Sequence, residues 1–369
     1  MYIKQIDNLK VEIPMVTSFT TSFGTITSKP TIITMLKTND GYIGYGEGAA
    51  LPFPHYKPDT TDITLLVLKN YIAPLILNKE FSSIDEFMDF LKPIKNHNFA
   101  KTAVENAVWM ILSLKANKPL KELLGGTQSK IPVGESLGIK NSIDETLNEV
   151  ELRLSQGFRR IKLKIKPGWD VELVRAVRNS FKDIDLMVDA NSSYTLDDLA
   201  VLKQLDEYKL TMTEQPLADD DIIDHATLQR NIKTPICLDE SIHSAEDTRK
   251  AISIDACKII NIKPGRVGGL LESKKIHDLC KKHNIGVWCG GMLETGIGRA
   301  YNIAVASLPK FIYPSDMSPV HFFYKDDLVK DSFVVDKNGY VKVPTEPGLG
   351  FEIDIKKINM YTRDKVILK

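Results

Sequence analysis

The chain is expected to be an α/β protein: a (β/α)7β-type TIM barrel with an α+β capping domain built from both chain ends. Three observations predict this. First, Lys164, Asp189, Glu214, Asp239 and Lys263 recur at steps of 25, 25, 25 and 24 residues, each at or near the end of a short apolar, β-branched run. Second, from Ile131 onward eight strand-like runs alternate with seven amphipathic segments, and such alternation demands parallel pairing with right-handed crossovers. Third, the regions before and after this stretch carry hairpin-like, antiparallel patterns.

The first region holds strands at 3 to 16 and 31 to 47, the latter folding back at Asn39-Asp40-Gly41. Between them, residues 17 to 28 form a polar loop carrying Phe19, Phe23 and Gly24, readable as a lid over a ligand or as a packed connection. Gly44-Tyr-Gly-Glu-Gly48 is read as a bulged strand end. It is not a dinucleotide fingerprint, since its strand pairs antiparallel and no helix opens at the glycines. Helical patterns follow at about 60 to 77, 83 to 92 and 99 to 116, the last keeping Ala103, Val104, Ala107, Val108, Ile111 and Leu112 on one face.

Barrel strands are predicted at 131–136, 161–165, 185–190, 210–214, 235–239, 257–263, 285–289 and 311–315. Helices are predicted near 143–156, 169–182, 195–206, 219–230, 244–252, 269–283 and 296–307. An open doubly wound sheet is the alternative, but it lacks a Gly-rich first turn and does not make the five groups converge. Past residue 318 the pattern stops, and 333 to 343 reads as a hairpin turning at Asn338-Gly339 that returns to the N-terminal meander. The expected division is therefore a cap at 1–125, a barrel at 126–318 and a returning segment at 319–369.

Composition narrows the function. Hydrophobic residues make up 43% and charged residues 26% of 369, enough for a large core. Lys plus Arg and Asp plus Glu are 48 each, so no basic excess points to nucleic acid. No run approaches a membrane span or the apolar core of a signal peptide, so a cytoplasmic protein is expected. Cys237, Cys257, Cys280 and Cys289 form no CxxC pair and read as reduced core thiols.

In a parallel barrel every strand aims its C-terminal end at one rim, where active sites form. Asp189, Glu214 and Asp239 would then stand side by side, repelling one another unless a cation neutralises them. Oxygen ligands without His or Cys favour Mg²⁺, with Mn²⁺ as the alternative hard cation. Any one of these acids alone would more often cap a helix; three at one repeat position favour a metal. Glu240 would face away from Asp239 and orient a ligand or Lys263. Lys162 and Lys164 are two apart and share a face, which must be the barrel interior if Ile161, Leu163 and Ile165 fill the other. Their mutual repulsion is expected to lower their pKa values toward those of general bases, with Lys263 approaching from the opposite side. A metal between two lysines suits removal of a proton next to a carboxylate, giving an enediolate.

The set Lys162-Leu-Lys164, Asp189-Ala-Asn191, Glu214-Gln-Pro216, Asp239-Glu-Ser241 and Lys263-Pro-Gly-Arg-Val-Gly-Gly269 resembles the enolase superfamily over nearly the whole chain. Sites of that superfamily are a known case of a lysine base working beside Mg²⁺ on an enediolate, so the chemistry is recognised as well as reasoned. Gly290-Gly-Met-Leu-Glu-Thr-Gly-Ile-Gly-Arg299 and Lys263-Pro-Gly-Arg266 resemble its muconate lactonizing enzyme-like subgroup, in the o-succinylbenzoate synthase and N-acylamino acid racemase group, with dipeptide epimerases next nearest. The resemblance implies metal ligation at Asp189, Glu214 and Asp239 and acid/base roles for Lys164 and Lys263. It further implies a dehydration in menaquinone synthesis, in which Lys164 takes the α-proton and Lys263 stays cationic, or a racemisation in which both lysines exchange protons. A barrel that binds metal without catalysis is the rival reading.

Around this centre Asn191, Glu240 and Arg266 are expected as supporting residues, Arg266 by depressing the pKa of Lys263. Ser136, Phe19, Phe23, Leu51, Tyr56, Gly291, Met292, Leu293 and Phe323 are expected to enclose a small carboxylate substrate. Association of identical chains is expected, although no heptad or apolar patch marks the surface.

Overall fold

The computed structural model describes residues 1–369. At the N-terminus, strands β1 (Ile3–Val11), β4 (Thr31–Thr38) and β5 (Ile43–Gly48) form an antiparallel sheet. The last strand of the chain, β15 (Thr362–Leu368), pairs antiparallel with β1, so both chain ends build one sheet. The glycines of β5 have a packing cause rather than a bulge: β5 pairs with β4 without a register shift. A Cβ at Gly44 would run into the Ala107 carbonyl, and one at Gly46 into the Ala103 carbonyl. The helix Asn98–Ala116 lies directly on β5, and glycine alone permits that approach.

The predicted polar loop at 17 to 28 is partly ordered as a small hairpin, β2 (Phe19–Thr21) with β3 (Gly24–Ile26). Its tip reaches the barrel, where the Ser22 hydroxyl donates to the Ala190 carbonyl at 3.0 Å. The segment 60 to 77 is helical but interrupted by a wider turn at Leu68–Ile72, just before Pro74, which lacks the amide an α-helix would use.

Eight parallel strands follow: β6 (Lys130–Leu137), β7 (Arg160–Lys164), β8 (Asp185–Asp189), β9 (Thr213–Glu214), β10 (Ile236–Leu238), β11 (Ile259–Ile262), β12 (Gly286–Cys289) and β13 (Ser315–Asp316). Their order is β12-β11-β10-β9-β8-β7-β6-β13. The ring closes between β12 and β13 by a bridge of Val287 with Phe311 and a bond from the Cys289 amide to the Ser315 hydroxyl at 3.2 Å. Helices cover the outside, although 195 to 208 is broken into short 3-10 and α turns. The floor of the barrel is a separate apolar layer of Met187, Met212, Cys237, Ile259 and Trp288. All four cysteines are free and buried.

The predicted hairpin at 333 to 343 is replaced by a single short strand, β14 (Tyr340–Lys342), after the Asn338-Gly339 turn. It pairs antiparallel with β6 of the barrel and not with the N-terminal sheet. The cross-strand partner nearest in space won over the hairpin partner. No helix is long and apolar enough to cross a membrane.

Candidate active site

The register of the parallel ladder puts Lys164 beside Asp189 and Asp189 beside Glu214, at one rim. Asp239 and Lys263 follow the last residues of β10 and β11 at the same rim. All five side chains are buried. Lys164 Nζ donates to Asp189 Oδ2 at 2.6 Å and to Asn191 Oδ1 at 2.7 Å. Asn191, held at φ 43°, a left-handed conformation that asparagine tolerates, donates in turn to Glu240 Oε1 at 2.8 Å. Glu240 therefore reaches Lys164 through Asn191.

Across the barrel, Lys263 Nζ donates to Asp239 Oδ2 at 2.7 Å and to the Tyr56 hydroxyl at 3.3 Å. Tyr56 donates to Asp239 Oδ1 at 3.0 Å. Arg266 pairs with that same Asp239 oxygen and with the Ile242 and Asn261 carbonyls, so its charge is spent on a carboxylate. Lys162 sits deeper, stacked 4.8 Å above Trp288, donating to Glu214 Oε2 at 3.0 Å and Asp316 Oδ2 at 2.7 Å.

The mutual repulsion expected to lower the pKa values of Lys162 and Lys164 does not prevail at Lys162. Burial opposes the charge on Lys162, but Asp316, Glu214 and Asp189 outweigh it and hold its pKa above the usual lysine value. Burial likewise opposes Lys263, and Tyr56, Glu214, Glu240 and Asp189 outweigh it. Arg266 is paired with Asp239, the carboxylate that Lys263 also binds. Asp189 is driven the other way: despite burial, Lys164 and Lys162 hold its carboxyl well below the usual range. Glu214 differs, because burial and then the charge of Asp189 push its pKa up. That is the self-repulsion expected of clustered acids.

No three His, Cys, Asp or Glu side chains close on a common point; Lys162 pairs with Glu214, Lys164 with Asp189, and Lys263 and Arg266 with Asp239. The donor set nevertheless fits a hard divalent cation. It is all oxygen, it is buried, Glu214 lacks full charge compensation, and Glu240 Oε2 has no hydrogen-bond partner. A cation entering here would replace ammonium contacts on Asp189 and Asp239.

Above the rim lies a pocket of about 640 Å³ of open space including its mouth. All nine residues expected to enclose substrate line it, together with Lys162, Lys164, Asn191 and Lys263. Phe19 of the hairpin meets Phe323 edge-on at 5.9 Å, bringing the two chain regions together over the opening. Residues not anticipated also line it: Thr21, Ile26, Arg299, Asp316 and Ser318. Asp316 ends the eighth strand, so the strand-end rule could have found it, but the predicted strand stopped one residue short. Its two oxygens bind Lys162 and Arg160, both at 2.7 Å. Asn261, also missed, donates to Glu214 Oε1 at 2.6 Å from the interior face of β11.

Comparison with known proteins agrees with this architecture. Residues 6–125 match the mandelate racemase / muconate lactonizing enzyme N-terminal domain, and residues 145–358 match the enolase C-terminal domain-like family. An o-succinylbenzoate synthase of Geobacillus kaustophilus is 46% identical, covering 94% of this chain and 92% of its own. An N-succinylamino acid racemase of Thermus thermophilus is 41% identical, covering 95% of each. Among solved structures, an enolase superfamily member from Listeria innocua superposes with a TM-score of 0.96 at 39% identity, over 100% of this chain and 99% of that one. A dipeptide epimerase from Enterococcus faecalis, complexed with Mg and a dipeptide, gives 0.88 at 26% identity over 95% and 100%. The two-part match, the parallel barrel and the rim of acids and lysines agree, and the chain belongs to the enolase superfamily.

Proposed function

We propose that the protein is a Mg²⁺-dependent o-succinylbenzoate synthase of menaquinone biosynthesis. It dehydrates 2-succinyl-6-hydroxy-2,4-cyclohexadiene-1-carboxylate, and the same site racemises N-succinylamino and other N-acylamino acids. The observation that carries this reading is the placing of Lys164 and Lys263 on opposite sides of a buried carboxylate cluster under one pocket. The named relatives supply the substrate class.

The residues proposed to hold the metal are Asp189, Glu214 and Asp239, with Mg²⁺ first and Mn²⁺ as a substitute. When bound, the cation supplies positive charge to the carboxylate oxygens of the substrate as they gain electron density. Lys164 takes the α-proton onto Nζ. In the dehydration it returns that proton to the departing hydroxyl on the same face. Asn191 and Glu240 keep the Lys164 amine aimed. Lys263, whose charge the surrounding groups favour, stays an ammonium and donates to the enediolate. In the racemisation Lys263 instead returns a proton to the opposite face. Phe19, Phe323 and the hairpin exclude water.

The rest of the assignment follows the same reading: residues 1–125 and 319–369 act as cap and 126–318 as barrel, in a cytoplasmic homo-oligomer. A racemase without synthase activity is the second reading, motivated by the racemase relative and the two opposed lysines. Assaying both substrates with Mg²⁺, alongside solvent-deuterium incorporation at the α-carbon, separates these. Synthase turnover supports the proposal, racemisation alone supports the second reading, and absence of both turnover and exchange would leave the non-catalytic barrel.

A further inference from the structure

The cap reaches the segment that carries Lys263 through one row of side chains on the helix Asn98–Ala116. Asn98, Thr102 and Glu105 are spaced i, i+4 and i+7, which places them on one face of that helix. All three bond the stretch just after Lys263. Asn98 Nδ2 donates to the Arg266 carbonyl at 2.7 Å and to the His243 carbonyl at 3.3 Å. Thr102 Oγ1 lies 3.1 Å from the Pro264 carbonyl, although its single proton is shared with the Asn98 carbonyl at 2.8 Å. Glu105 makes the fullest attachment. Its Oε2 accepts from the Leu270 amide at 2.9 Å, and its Oε1 from the Leu271 amide at 2.8 Å and from Trp109 Nε1 at 2.7 Å.

The Leu270 and Leu271 amides open the helix Leu270–Lys282, whose N-cap residue is Gly269 and brings no side chain to satisfy them. A carboxylate from the cap does so instead, where the helix dipole favours negative charge. Glu105 is fully buried, and burial pushes its pKa up to about 7, so an uncharged residue would cost less unless three donors need two acceptor oxygens. A glutamine has only one, and its amide nitrogen would face an N–H. Gly269, at φ 122°, belongs to the same seat, since a Cβ there would strike the Glu105 carboxylate.

Between Lys263 and Leu270 there is little slack. The Arg266 and Val267 amides donate to the Lys263 carbonyl at 3.0 and 3.1 Å, and the Gly268 and Gly269 amides to the Pro264 carbonyl at 3.1 and 2.9 Å. The turn Pro264–Val267 is thus one closed unit, with Lys263 at its start and Glu105 holding the helix that follows it. None of Asn98, Thr102 or Glu105 lines the substrate pocket, whereas Lys263 does. Lys164 has separate support, from Asp189 and Asn191.

We propose that Glu105 is a positioning residue for Lys263: by capping the helix Leu270–Lys282 from the other domain, it fixes the turn at 263–269 and so the place of the Lys263 ammonium, while leaving Lys164 untouched. The inference rests on reading Lys164 and Lys263 as the acid/base pair of opposite faces.

The test uses the full-length, Mg²⁺-loaded enzyme with the two enantiomers of an N-succinylamino acid in deuterium oxide. Lys263→Ala identifies the enantiomer whose α-hydrogen faces Lys263, as the one that stops exchanging. In Glu105→Gln, exchange of that enantiomer should fall about 10-fold relative to the other, since a misplacement of about 1 Å at a reacting group costs up to about 100-fold. Loss of folded enzyme slows both enantiomers alike and leaves their ratio unchanged. Amide hydrogen exchange read on peptides covering 264–275 should accelerate about 10-fold in the same variant. Asn98→Ala, which removes a hydrogen bond at the other end of the turn, should shift the ratio in the same direction by about 3-fold and decides the matter where Glu105→Gln does not fold. An unchanged enantiomer ratio, or unchanged amide exchange over 264–275, would overturn the proposal. A wild type that exchanges neither enantiomer would overturn the assigned function, and amide exchange would still decide whether Glu105 holds the turn.

Discussion

Removing Lys164 tests the chemistry most directly, because the residue has two separable effects. Its Nζ is 2.6 Å from Asp189 Oδ2, and at an effective dielectric near 20 that pair attracts by about 6 kcal/mol before desolvation is subtracted. A divalent cation seeking Asp189 must displace this contact. Lys164→Ala should therefore tighten Mg²⁺ binding, by about tenfold or ~1.4 kcal/mol once most of the attraction is cancelled by hydration of the freed ammonium. Turnover should move oppositely. Loss of a positioned general base costs about 10²–10⁴ in rate, or ~3–5 kcal/mol of barrier. Titration calorimetry with Mg²⁺ reads the first effect, and synthase turnover at saturating Mg²⁺ reads the second. Turnover within about tenfold of wild type would refute the base assignment. Weakened metal binding would refute the view that lysine and metal compete for Asp189.

Three further outcomes follow from the geometry. Burial and the charge of Asp189 both oppose ionisation of Glu214, so Glu214→Gln should leave metal-free thermal stability equal or higher, while abolishing the rise in Tm that Mg²⁺ produces; differential scanning fluorimetry with and without Mg²⁺ checks this. Burial raises Glu135 from 4.5 to about 7, so the folded chain binds this proton more tightly than the unfolded chain. The stability it contributes is present below about pH 4.5 and lost as pH rises through 7, about 3 kcal/mol in all, and urea unfolding of Glu135→Gln should show a flatter pH dependence across that window. Gly46→Ala should lower the urea midpoint by an amount equivalent to about 1–3 kcal/mol, since its Cβ has no room beneath the Ala103 carbonyl; a neutral result would mean the helix and β5 are not packed backbone to backbone.

Much of the candidate site was legible because a parallel barrel converts sequence period into spatial convergence. The acids and lysines at each strand end needed only that rule, and the aromatic and apolar pocket residues needed only their place on loops after strands. What escaped depended on partners remote in sequence. Asp316 was missed by one residue because the eighth strand is held in register by β6 and closed against β12 by single contacts, leaving little local pattern. The glycines of β5 read as a bulge because nothing near them announces a helix crossing their backbone. The C-terminal turn was found but its partner was not, since pairing β14 with β6 requires knowing that the barrel edge passes beside it.

The sequence by itself determined the architecture, the order of functional groups and the reaction class, since each follows from residue type at a fixed repeat and those are local properties. Only the tertiary structure decided the pairings: Lys162 and Lys263 set among groups that favour their charge where lowered pKa values were expected, Arg266 bound to Asp239, and Glu240 acting through Asn191. The physical reason is range. Secondary structure answers to neighbours a few residues away, whereas the ionisation of a buried group answers to every charge within several ångströms, whichever strand delivers it.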